Sequence, residues 1–301
     1  MGDFLGDLKQ RFKRADVLMQ FIYINVGVFI LVVSFILTSE LFNLNTGKFL
    51  VHLELPSSFH LFIRHPWTLF SYMFLHLDFL HIFVNMLCLY WFGRIFLTMF
   101  NGRQLGGLYV LGGIGGGLFY ILAFSILAYF NKSSNLHLLL GASASVLAIV
   151  VAPAISSPNY PVRLFKLGSI KLKYITIISV FLYTCYIWET PENVGGHVAH
   201  LGGALVGLLF ALRLSKGKDI TLFINKGIDK CWNLFESKPR MKVSYSHSKN
   251  KKQQPTSTTS KATKQKEEEE LNRILDKLKK SGYESLSPDE KKNLFNASMS
   301  K

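Results

Sequence analysis

The chain has 301 residues, 49% of them hydrophobic, 14% aromatic and only 18% charged, with 34 Lys and Arg against 19 Asp and Glu and a formal net charge of +15. Soluble domains carry about 25% charged residues, so the shortfall, alongside 25 Phe, describes long uncharged runs: a membrane body with a polar tail rather than a large soluble core. Cys88, Cys185 and Cys231 are too few and too scattered for a disulfide framework or a zinc site, and no metal or cofactor is expected.

In the arm at residues 1–19, Phe4, Leu8 and Phe12 recur every four residues among Lys9, Arg11, Lys13 and Arg14, which predicts an amphipathic helix on the cytoplasmic face. The apolar run that follows lacks a small-residue cleavage site, and Asp3, Asp7 and Asp16 are unlike a mitochondrial transit peptide, so it is expected to stay as an anchor. Runs near the ~20 residues that cross a bilayer predict six spans within residues 20–214: Phe21–Thr38, Leu69–Phe96, Leu105–Tyr129, Leu138–Ile155, Tyr174–Trp188 and His197–Leu214. Basic residues gather in the arm, at Arg94 and Arg103, and at Arg163, Lys166, Lys171 and Lys173; the opposite loops hold only Lys48, Arg64 and Lys132. Short cytoplasmic loops are the basic ones, so both termini are expected in the cytoplasm.

Polar residues within spans are costly and suggest function. The second span carries His76, Asp78, His81 and Asn85, with His81 and Asn85 on one helical face. Gly112, Gly113, Gly115, Gly116 and Gly117 crowd the third span; without a following Lys-Ser/Thr they read as tight packing rather than a phosphate loop. The fourth opens with Gly141, Ser143 and Ser145, and the sixth with His197 and His200. Spans two, four and six run the same way, so Ser143 and His200 fall at a similar depth, roughly 10 Å below the outer interface at 1.5 Å per residue. Gly203 and Gly207 form a small-xxx-small motif that lets backbones approach on the face carrying His200, with Ala142, Ala144, Ala148 and Ala152 slimming the partner helix.

A serine hydroxyl needs a base, commonly histidine, and its tetrahedral intermediate needs donors such as backbone N–H, Asn or a second His. Ser143, His200, His81 and Asn85 match that inventory. Of Ser143 and Ser145, two residues apart, only one can face the base; His197, a turn nearer the surface than His200, suits the mouth of the site. Two other readings remain: a transporter, for which Asp78 at the outer mouth is the sole intramembrane carboxylate, and a catalytically silent scaffold that binds client helices.

At these residues the chain resembles the rhomboid family of intramembrane serine proteases, over about residues 20–214. The His-x4-His-x3-Asn pattern stands as His76, His81 and Asn85, Gly-x-Ser as Gly141-Ala142-Ser143, and Ala-His-x-x-Gly-x-x-x-Gly runs from Ala199 to Gly207. The resemblance implies an all-α, six-helix membrane bundle that hydrolyses peptide bonds in or next to transmembrane segments. It implies Ser143 as nucleophile, His200 as general base, His81, Asn85 and the Ser143 N–H as oxyanion donors, and His76 as a structural or mouth-lining residue. Many members carry Trp-Arg in the first loop, where this chain has Trp67-Thr68. The aromatic often found one turn after the serine is Leu147, so the histidine ring must be held by something else.

Beyond the bundle, Ile224, Ile228, Cys231, Trp232 and Phe235 make an apolar stripe beside Lys226 and Lys230, predicting an amphipathic interfacial helix over 215–237. Residues 238–266 read as a disordered linker and 267–301 as a small cytoplasmic helical hairpin, with Lys279, Lys280 and Gly282 closing one helix and Ser287-Pro288 opening the next. The expected partners are transmembrane protein substrates and the lipid bilayer, not nucleic acid, and the expected location is the bacterial cytoplasmic (inner) membrane.

Overall fold

A computed structural model describes residues 2–43, 49–126, 136–164, 168–185, 194–235 and 260–299. The chain divides into two compact units, Met1–Lys238 and Pro239–Lys301.

In the first unit α1 (Gly2–Arg14) leads into α2 (Val17–Leu41) across a break that Asp16 caps, its carboxylate accepting from Met19 N–H and pairing with Arg94 at 2.7 Å. Only Leu18, Asn25, Val32 and Ser39 of α2 are buried, one residue every seven, so the helix touches the bundle along a narrow seam. There follow β1 (Leu55–Pro56), α3 (Phe59–Arg64), α4 (Thr68–Ser71), a 3-10 turn at Tyr72–Phe74, α5 (Phe79–Met99) and α6 (Gly102–Ile126). Next come β2 (Leu138–Leu139), α7 (Ser143–Ser156), the hairpin β3 (Pro161–Leu164) and β4 (Gly168–Lys171), α8 (Leu172–Cys185), α9 (Val194–Leu214) and α10 (Thr221–Phe235).

Four of these helices have the length and apolarity to cross a membrane: α2, α5, α6 and α9. The other two expected spans, α7 and α8, are helices of 14 residues each, or about 21 Å at 1.5 Å per residue. Three sequence expectations need correction here. The second span does not begin near Leu69; Asp78 accepts from His81 N–H at 2.8 Å and starts the helix at Phe79, leaving His76 ahead of it. The fourth does not run as helix from Leu138; Leu138 and Leu139 pair antiparallel with Pro56 and Leu55 instead. The architecture is mostly helical but carries these two short antiparallel strand pairs.

The core is the trio α6, α7 and α9. Eleven of the fourteen residues of α7 are buried. A methyl group on Gly203 would run into the backbone of Ala144, and one on Gly207 into the backbone of Ala148. On α6, a methyl group on Gly112 would strike Ala148, and one on Gly116 would strike Ala144 and the carbonyl of Ala199. Glycine weakens an isolated helix by roughly 1 kcal/mol relative to alanine, but here its absent side chain lets three helices approach at backbone distance.

α10 docks on α6 by polar contacts as well: Thr221 and Asn225 cover Gly107, and Gln104 donates to Asp219 at 3.0 Å. Leu222, Phe223 and Ile228 stay exposed. The side chains of Phe4, Leu8, Cys231, Trp232 and Phe235, on which part of the amphipathic expectation rests, lie outside the described residues.

In the second unit, α11 (Ser260–Ser281) begins inside the stretch expected to be linker, because Lys261, Ala262, Lys264, Gln265 and Lys266 are good helix formers. The rest of that stretch lies outside the described residues. Gly282, at φ 77°, ends α11. Before α12 (Pro288–Met299), Glu290 N–H donates to Ser287 Oγ at 3.3 Å and Ser287 N–H donates to the Glu290 carboxylate at 2.8 Å, a reciprocal capping box. Ile274 and Leu286 are buried between the helices, and Lys277 pairs with Glu290 at 2.8 Å.

Candidate active site

The site forms where the start of α7 meets α9 and α5. Ser143 is the first residue of α7, so its N–H lacks an intrahelical acceptor and lies at the positive end of the helix dipole. The chain reaches it through Gly141, whose φ of +116° few other residues tolerate. Gly141 N–H donates to Tyr72 carbonyl at 2.9 Å and Ala142 N–H to His76 Nε2 at 3.3 Å. Those two bonds fix the approach to the serine.

Ser143 Oγ lies 2.7 Å from His200 Nε2. The two residues come from helices whose backbones touch at Ala144 and Gly203, one residue after the serine and three after the histidine. Ser145 points elsewhere: its hydroxyl is buried and lies 2.8 Å from where a methyl group on Gly113 would sit. His197 stands off, its ring centroid 6.3 Å from that of His200.

His81 projects from the first turn of α5 toward Gly141. A methyl group on Gly141 would sit 3.0 Å from His81 Nε2 and 3.9 Å from Ser143 Oγ, so the missing side chain leaves a space bounded by both. His76 is buried, its ring 5.1 Å from that of His81. Asn85 is also buried and donates through Nδ2 to His81 carbonyl at 2.9 Å, one turn back on its own helix. Its second amide proton is not used by that bond. The structure thus brings Ser143, His200 and His81 around one space, with His76 behind the loop and Asn85 behind His81.

Sequence reasoning missed Tyr183. Its backbone carbonyl, near the end of α8, accepts from His200 Nδ1, and its ring meets the His200 ring edge-on at 5.4 Å and 88°. The ring-holding aromatic absent at Leu147 is therefore replaced from another helix; Leu147 itself is buried. A lone tyrosine in the fifth apolar run carries no motif, and a main-chain acceptor leaves no trace in sequence at all.

The first loop, lacking an arginine after Trp67, is tied by other donors. Trp67 Nε1 bonds His52 carbonyl at 2.8 Å, Ser71 Oγ bonds Leu53 carbonyl at 2.6 Å, and Thr68 Oγ1 bonds His65 carbonyl at 2.7 Å.

Comparison with known proteins finds the rhomboid domain over residues 64–217 and a family of unknown function (DUF6576) over residues 260–300. The chain is 29% identical to "RHOMBOID-like protein 12, mitochondrial" of Arabidopsis thaliana over 211 residues, 67% of this chain and 60% of that protein. It is 26% identical to "Rhomboid protein 1, mitochondrial" of Saccharomyces cerevisiae over 150 residues, 48% of this chain and 40% of that protein. The matches thus span less than two thirds of either relative's length. Both relatives are named as mitochondrial, so the bacterial inner membrane expected from the sequence has no support from them. An integral membrane protein is what the apolar helices and the matched domain establish.

Proposed function

The chain belongs to the rhomboid family, and from that premise we propose that it is an intramembrane serine endopeptidase acting on transmembrane proteins. The observation that carries this is the 2.7 Å contact between Ser143 Oγ and His200 Nε2 beside the space under Gly141. In this reading His200 Nε2 takes the Ser143 proton as Oγ attacks the scissile carbonyl. The oxyanion is received by the Ser143 N–H at the head of α7, by His81, and by the free amide proton of Asn85. His200 returns the proton to the leaving amine, and a water, deprotonated by the same imidazole, releases the acyl group. No carboxylate takes part.

Six crossings, with both termini on the side of the basic loops, fit this chemistry. Because α7 starts only at Ser143, after the β2 strand, the nucleophile lies at the end of its helix next to the loops poor in Lys and Arg. Peptide bonds in or just outside a substrate helix would reach it from the side of the loops poor in Lys and Arg.

The test is cleavage of a model transmembrane substrate in proteoliposomes, together with labelling by a serine-directed phosphonate. Ser143→Ala and His200→Ala should each lower turnover by about 10,000-fold or more, and the double variant should cost little beyond either. Asn85→Ala should slow turnover roughly 10- to 1000-fold, whereas Ser145→Ala and His197→Ala keep substantial activity. A folded Ser143→Ala protein that cleaves at the wild-type rate ends this reading. Complete inertness of the wild-type protein to probe and substrate favours a scaffold that binds client helices.

A further inference from the structure

We infer that Tyr183 is a positioning residue whose main-chain carbonyl sets the tautomer of His200 and so makes α8 part of the catalytic apparatus. This rests on the serine-protease reading above.

The Tyr183 carbonyl lies in α8, described over Leu172–Cys185. It accepts from His200 Nδ1, while His197 Nδ1 stands 3.4 Å from the same oxygen. A carbonyl oxygen can only accept, so the proton of the neutral His200 ring must reside on Nδ1. Nε2 then presents its lone pair, and Nε2 is the atom 2.7 Å from Ser143 Oγ. With the opposite tautomer both ring nitrogens would be misassigned: Nε2 would carry a proton toward the hydroxyl and Nδ1 a lone pair toward the carbonyl.

The same contact acts again after proton transfer. The imidazolium formed on His200 keeps its Nδ1–H on the carbonyl, and a charge-assisted bond is stronger than a neutral one. A main-chain carbonyl thereby supplies both functions that a carboxylate supplies in a three-residue arrangement: orientation and charge compensation.

α8 is not a rigid support by its own packing. Tyr174, Ile177, Ile178, Phe181 and Leu182 are all exposed on it, and it has far less buried surface than α7. A shift of its end away from α9 withdraws the acceptor, and the base loses its fixed tautomer without any change in Ser143 or His200 themselves.

The experiment uses the full chain in bicelles. In protein labelled with 15N-histidine, His200, identified by its loss in His200→Asn, should be the Nδ1–H tautomer when neutral, in wild type and in Ser143→Ala alike. An Nε2–H tautomer overturns the proposal. Replacing the Tyr183–Thr184 amide by an ester, through the α-hydroxy analogue of threonine at position 184, weakens this one acceptor. It should lower kcat about 10- to 100-fold with KM nearly constant. An ester at the preceding linkage removes an equivalent helical N–H but leaves the Tyr183 carbonyl an amide, and it should behave as wild type. Equal effects of the two esters, or none from the first, overturn the proposal. Tyr183→Phe keeps ring and carbonyl and should retain the Nδ1–H tautomer; an Nε2–H tautomer there would assign the role to the hydroxyl instead. Because the tautomer is read without substrate, failure of the serine-protease reading, seen as cleavage by Ser143→Ala, stays distinct from failure of this one.

Discussion

α7 and α8 are both 14-residue apolar helices, yet one is buried almost throughout and the other shows most of its large side chains to the surroundings. α7 holds the serine, and glycines of α6 and α9 press on its backbone from two sides. α8 contributes a single main-chain acceptor to the histidine and packs along one face. The contrast separates two tasks. The nucleophile is locked by backbone contact that no side-chain motion can relax, while the base is completed by an element with little to hold it. α2 resembles α8 in this respect, touching the bundle at one residue in seven.

The largest effect should come from driving a side chain into the locked region. Gly203→Leu places carbon atoms where the Ala144 backbone lies, and the cost should exceed the ~1–3 kcal/mol of ordinary overpacking. The expected outcome is loss of the folded, active protein, seen in detergent-resistant migration and in turnover together. A folded Gly203→Leu variant would mean that α7 and α9 are not in backbone contact. Next in size is Gly141→Ala, which strains a φ of +116° by on the order of 1–3 kcal/mol. Its methyl group also enters the space between His81 and Ser143. Turnover should fall about 100-fold, and phosphonate labelling of Ser143 should fall with it, since the adduct's oxygen needs the same space.

The loosely packed region should respond differently. Asn25→Ala removes the donor that Tyr109 receives at 3.0 Å and should cost about 1–3 kcal/mol as a buried bond is lost. Leu31→Ala, on the 71% exposed outer face of the same helix, should stay within about 0.5 kcal/mol. Reversible unfolding in mixed micelles measures both, and equal costs would erase the seam as the site of attachment. The smallest effect concerns the tail. The Lys277 ammonium, and then the Ser287 N–H, hold the Glu290 carboxyl below the usual glutamate range. A depressed carboxylate contributes stability that is complete above its unfolded pKa and is lost as pH falls through the folded one. Amide exchange across residues 274–294 should therefore accelerate slightly on acidification below the glutamate range, and Glu290→Gln should remove that pH dependence.

Much of the site was legible because its parts sit at helix beginnings, where sequence signals are strongest. Ser143 follows a glycine at a helix start, His200 precedes a glycine pair, and the spacing of each is visible in a linear string. The tail was equally legible through Gly282 and Ser287-Pro288. The start of α5 was not, because an apolar run on both sides of Asp78 hides a capping residue that only the folded backbone exposes. β1 and β2 were missed because residues 55 and 139 are remote in the chain and each strand is two residues long. Tyr183 was missed for a deeper reason: its contribution is a peptide carbonyl, which every residue possesses.

That asymmetry between specified donors and universal acceptors recurs in the first loop. Trp67, Thr68 and Ser71 supply side-chain donors, and the groups that receive them at His52, His65 and Leu53 are all main-chain. Over evolutionary time the two halves of each bond should drift at different rates. The three donors are chemically committed, whereas positions 52, 53 and 65 can exchange residues without releasing the loop. A library randomised at all six positions and selected for turnover would enrich Trp, Thr and Ser at the donors and leave the acceptors diverse.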